Sequence, residues 1–85
     1  MTREDVSAQT REAVARALRV APETITEATR AADVPGWDSL AHLVALSAVE
    51  KALGVKLPTL QAYATQDLGG IVDLATAAVA RKRGH

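Results

Sequence analysis

Three neighbouring residues, Asp38, Ser39 and His42, carry the side-chain types of a nucleophilic site. In a serine triad the imidazole takes the serine proton and the carboxylate orients the imidazole. The spacing here argues against that use. On one helical turn Ser39 and His42 share a face, but Asp38, adjacent to Ser39, is unable to reach behind the ring. No glycine-rich oxyanion loop follows a strand, and no strand is expected at all. His42 therefore reads as a partly exposed helix residue near Ser39. A metal site is also poorly supplied, because His42 and His85 without any cysteine make no ligand cluster. Arg81, Lys82 and Arg83 are an anion-binding tail at most, and cations at a helix end are ordinary dipole compensation.

What Asp38 and Ser39 do supply is a helix start. Asp is a strong N-cap, since its carboxylate accepts one of the orphan N–H groups of the first turn. Ser39 is then the first helical residue, exposed, with a hydroxyl free of any helical partner. An anion attached there would lie at the positive end of the helix, among unpaired N–H groups.

The elements that hold this point follow from composition and punctuation. The chain has 85 residues, enough for one domain spanning 1–85 and one thin core. Eighteen residues are alanine, phenylalanine is absent, and Trp37 and Tyr63 are the only aromatics. Alanine favours helix over strand, so the fold class expected is all-α. Thr2 and Asp5 read as a capping pair, and Val6, Ala13, Val14, Ala17 and Leu18 recur at helical spacing until Pro22. Residues 21–36 read as a long loop with an irregular turn, one inward Ile25, and the breaker Pro35-Gly36. The second helix runs from Asp38 to about Leu53, stopped by Gly54. Pro58 and Thr59 introduce a short helical piece over Leu60–Ala64. Thr65 reads as the cap of a last helix striped by Leu68, Ile71, Val72, Ala75, Ala78 and Val79. Gly69 and Gly70 weaken its first turn by up to ~1 kcal/mol each. The expected architecture is a four-helix bundle of three longer helices and one short one. Its expected core is Val14, Leu18, Leu40, Leu43, Val49, Leu53, Ile71 and Val72.

Charge and hydropathy exclude other classes. Ten basic and ten acidic residues lack the basic excess of a nucleic-acid binder. No apolar run approaches the ~20 residues of a membrane span. The polar start Met-Thr-Arg-Glu-Asp does not open a signal peptide, so a cytoplasmic protein, expected to be monomeric, is the default.

The segment Asp33-Val-Pro-Gly-Trp-Asp-Ser-Leu-Ala-His-Leu resembles the modification site of acyl carrier proteins, whose hallmark is the Asp-Ser-Leu found here as Asp38, Ser39 and Leu40. The helix exit Leu53-Gly-Val-Lys-Leu-Pro58 is similar to that family's passage into its third helix. The element lengths fit over nearly the whole chain. The resemblance implies a non-enzymatic carrier. Ser39 would bear a 4'-phosphopantetheine arm, supplied from coenzyme A by a phosphopantetheinyl transferase. The arm's thiol would hold acyl or aminoacyl groups as thioesters for loading, transferring or condensing enzymes. Leu40 is expected to point inward and anchor the turn beside the arm. Trp37 is expected to fix the loop before Ser39 and, with Val44 and Ser47, to meet partners.

One departure from the family is informative. Carriers of fatty acid biosynthesis are commonly acidic along the second helix, whereas here Ser39–Leu53 carries only Glu50 and Lys51 as charges. That points towards recognition by apolar contact through Val44, and towards polyketide, modified-peptide or related natural-product biosynthesis. Val44 completes the core in the competing reading. The alternative to a carrier is a helical interaction module with no prosthetic group.

Overall fold

A computed structural model describes residues 1–83, so His85 lies outside the described residues. The described residues form four α-helices: α1 (Arg3–Leu18), α2 (Ser39–Leu53), α3 (Thr59–Ala64) and α4 (Leu68–Arg83). Two short 3-10 turns, Pro22–Thr24 and Ala31–Asp33, interrupt the α1–α2 connection. Among the described residues there is no strand, only an isolated antiparallel bridge between Arg30 and Asp67. The fold is the all-α bundle of three longer helices and one short one.

Each helix boundary has a local cause. Thr2 and Asp5 form a reciprocal capping box: the Asp5 N–H donates to Thr2 Oγ1, and the Thr2 N–H donates to the Asp5 carboxylate. These hydrogen bonds from Thr2, its backbone N–H first, hold the Asp5 carboxyl below the usual carboxylate range. α1 stops at Leu18, before Pro22 acts. Arg19 turns left-handed at φ 61°, and the Val20 N–H reaches back to the Ala15 carbonyl at 2.9 Å. α2 ends on Gly54, left-handed at φ 65°. The start of α4 falls on Asp67, not on Thr65. The Asp67 carboxylate accepts the Gly70 N–H at 2.7 Å, whereas the Thr65 hydroxyl turns back to the Ala62 carbonyl and closes α3.

α1 packs chiefly on α2 and then on α4, and the small α3 bridges α2 and α4. Val6, Val14, Val49, Leu68, Ile71 and Val72 form the sealed centre, with Ile25 pulled in from the long loop. Of the expected core, Val14, Val49, Ile71 and Val72 are buried, and Leu18 and Leu53 are partly buried against them. Leu40 and Leu43 are not core residues, being 71% and 46% exposed. α2 instead turns His42, Ala45, Leu46 and Val49 inward. Those residues are spaced at i, i+3, i+4 and i+7, a helical stripe that the polar label of His42 hides.

The long connection is tied down by backbone hydrogen bonds. The Ala31 N–H donates to the Gln66 carbonyl at 2.8 Å, Leu68 to Thr29 at 3.0 Å, and Gly69 to Glu27 at 2.8 Å. Gly69 is required by this contact, since a Cβ at that position would lie 2.9 Å from the Glu27 carbonyl oxygen. A residue that weakens helix α4 locally thus allows the loop to dock. Arg3 adds ion pairs to Glu27 and Asp73 across the same seam. The segment leading to Ser39 is therefore held at several points along its length.

Candidate functional site around Ser39

Asp38 caps α2 as its residue type dictates. Its carboxylate accepts the Ala41 N–H at 2.9 Å, and its own backbone is extended. Ser39 follows as the first helical residue, exposed, with no hydrogen-bond partner for its hydroxyl among the described residues. The sequence reading of this turn holds for Asp38 and Ser39 but not for Leu40. An inward Leu40 would need the 40–43 side of α2 to face α1, and the His42–Val49 side takes that place.

Beneath Ser39 lies a hydrogen-bonded relay that the sequence reading missed. Trp37 and His42 are buried, each 6% exposed. The Trp37 Nε1–H donates to His42 Nδ1 at 3.0 Å. An indole N–H only donates, so Nδ1 accepts and the ring hydrogen sits on Nε2. Nε2 then donates to the Ala62 carbonyl at 3.0 Å, with Thr65 Oγ1 at 3.2 Å beside it. The relay runs from the loop before Ser39, through α2, to the end of α3. It corrects two expectations: His42 is an internal link and not a partly exposed residue, and Trp37 has little surface left for a partner. The available signal was the five-residue separation of two residues whose polar edges need partners when buried.

The same geometry disposes of a triad. Both ring nitrogens of His42 are committed to Trp37 and to the α3 terminus, and the Asp38 carboxylate, which caps Ala41, makes no hydrogen bond to His42 or to the Ser39 hydroxyl. Neither group is placed to activate Ser39.

A cavity of about 290 Å³ opens beside Ser39, lined by Trp37, Asp38, His42, Tyr63, Thr65 and Ala31. A second hollow of about 180 Å³ lies between α2 and α3, lined in part by Leu43, Leu46, Ser47 and Leu57. Between and around them is an exposed apolar surface. Leu40, Leu43 and Val44 stand on one face of α2, with Ser47 one turn further, and Leu60 and Tyr63 stand on α3. Val44 is 50% exposed and so is not a core residue. The sole acid of α2, Glu50, is used internally: its carboxylate accepts the Leu57 N–H at 2.7 Å and fixes the turn into α3.

No group of three or more potential metal ligands occurs among the described residues, and no helix among them is long and apolar enough to cross a membrane. Compared with known proteins, the chain matches no family model and no curated protein.

Proposed function

We propose that the chain is a carrier protein of the acyl carrier type, in which Ser39 receives phosphopantetheine from coenzyme A. The observation that carries this reading is the position of Ser39. Within the Asp38-Ser39-Leu40 motif, its unengaged hydroxyl stands at the first position of a capped fifteen-residue helix, at the end of a loop pinned by Trp37. Once made, the phosphodiester would sit against the unpaired N–H groups of that helix end, where its charge is favoured. The bound arm supplies a thiol on which acyl or aminoacyl groups are held as thioesters.

In the loading step Ser39 Oγ attacks the phosphorus that bears pantetheine. The P–O–P bond of coenzyme A breaks as the new P–O bond forms, the adenosine bisphosphate half leaves, and the serine proton passes to a base on the transferase. This chain contributes the nucleophilic oxygen and its placement. His42 is committed elsewhere and Asp38 makes no hydrogen bond to the Ser39 hydroxyl, so activation is left to the transferase.

The enzymes that act on the loaded arm are proposed to dock on the apolar face of Leu40, Leu43 and Val44. That face adjoins Ser39 and bears no charge of its own, and the one acid within α2, Glu50, is engaged internally. A partner fitting it presents an apolar patch in place of a basic one, which favours polyketide, peptide or related natural-product assembly. The setting proposed is the cytoplasm, where coenzyme A is at hand.

Intact mass after incubation with coenzyme A and a broad-specificity transferase tests the reading. The wild-type chain is expected to gain one phosphopantetheine, and Ser39→Ala none with an unchanged circular dichroism spectrum. A wild-type chain that gains no mass is a helical interaction module without a prosthetic group. A Ser39→Ala chain that still gains it places the attachment elsewhere.

A further inference from the structure

The cavity beside Ser39 has a chemical character of its own. Apart from the hydroxyls of Ser39, where the arm attaches, and of Tyr63, its side-chain hydrogen-bonding groups are acceptors or already engaged. The Thr65 hydroxyl spends its hydrogen on the Ala62 carbonyl, both His42 nitrogens are engaged, and the Asp38 carboxylate has lone pairs beyond the one given to Ala41. Its lining residues include no lysine or arginine, and Asp38 is an acid. An anion is therefore unfavourable inside it. A segment with O–H and N–H donors is favoured, provided that its remaining surface is apolar enough for Ala31 and the rings of Trp37 and Tyr63. The volume of about 290 Å³ falls at the lower edge of the roughly 300–1,000 Å³ of pockets that enclose a drug-sized ligand. It suits part of a long flexible group better than the whole.

We infer that this cavity, walled by Trp37, Tyr63 and Thr65, receives the pantoyl segment of an arm attached to Ser39. The inference rests on the carrier reading above and adds a direction to it. The phosphodiester stays at the end of α2. The next part of the arm, a branched dimethyl carbon followed by a hydroxyl and an amide N–H, turns into the cavity towards α3. The methyl groups meet Ala31 and Tyr63, and the hydroxyl and amide donate to Thr65 and Asp38. The arm then leaves over α3, and the Leu40, Leu43 and Val44 face of α2 stays open for a partner. Part of the rotational freedom of the arm is lost in this position, so the thiol starts from a narrower set of directions.

The test compares nitrogen-15 NMR spectra of the apo protein and the phosphopantetheine-loaded protein, with loading verified by intact mass. Loading is expected to shift the Trp37 indole N–H and the backbone amides of Ala31, Tyr63 and Thr65, with Leu43, Ser47 and Leu57 nearly unmoved. Tyr63→Ala, at a half-exposed wall, is expected to reduce those shifts by at least half while loading on Ser39 proceeds. Shifts confined to residues 38–40 would mean an arm free in solvent and would overturn the inference. Shifts gathered on Leu43, Ser47 and Leu57 would place the arm in the second hollow and overturn it equally. Those outcomes leave the carrier reading intact. A wild-type chain that gains no mass removes the carrier reading and this inference together.

Discussion

The indole of Trp37 and the imidazole of His42 are joined by a 3.0 Å hydrogen bond in which Trp37 donates, and both rings are nearly sealed from solvent. Trp37→Phe would keep an aromatic ring, though a smaller one, and leave His42 Nδ1 buried without a donor. The expected cost is ~1–3 kcal/mol, the desolvation of an unsatisfied polar group, read from urea denaturation. His42 also holds the end of α3, so hydrogen exchange should accelerate at Ala62 and Thr65 more than in α1. A Trp37→Phe variant as stable as the parent would show that the relay contributes nothing.

Val44 separates packing from docking. Half-exposed on α2, it should accept Val44→Asp with a stability change within ~0.5 kcal/mol, because no charge becomes buried. Loading of Ser39-borne cargo by a cognate enzyme should slow at least tenfold. Binding of the parent should weaken little as salt is raised, since burial of apolar surface is not screened. A steep fall of affinity with salt, with Val44→Asp silent, would refute apolar docking.

Gly69→Ala should lower stability although alanine is the better helix former. The gain in propensity is ~1 kcal/mol, but the new Cβ meets the Glu27 carbonyl at 2.9 Å, and backbone on both sides resists the shift. A net loss of ~1–3 kcal/mol is expected in thermal or urea melts. Gly70→Ala is the comparison, since the nearest atoms its Cβ would meet belong to the side chains of Asp67 and Thr65 and not to backbone.

Thr10 lies fully buried in α1, and its hydroxyl has no hydrogen-bond partner among the described residues. Thr10→Val keeps the branched shape and removes the unsatisfied oxygen. Stability should rise by about 1 kcal/mol, read as a shift of the urea midpoint at unchanged slope. A destabilised Thr10→Val variant would mean that the hydroxyl is paired in solution.

What the amino-acid sequence determined by itself lay within a turn or two of chain. The Thr2–Asp5 box, the Asp38 cap, the Gly54 stop and the run of alanines specify helix starts and ends through nearest-neighbour hydrogen bonds and propensity, with no need of a distant partner. For the same reason the exposed position of Ser39 at the start of α2 was legible. The side of α2 that faces the core was not. With Glu50 and Lys51 its only charged residues, the helix has apolar side chains all round. Its rotation is decided by what α1 and α3 present to it. Tertiary packing chose the His42–Ala45–Leu46–Val49 side, because only there does the imidazole find both the Trp37 donor and the Ala62 acceptor. That choice put Leu40 and Leu43 in solvent and opened the cavity beside Ser39. It also turned Gly69 from a weak point of α4 into the place where the loop docks. Each of these depends on groups more than a helical turn apart, and their meeting is a property of the folded chain.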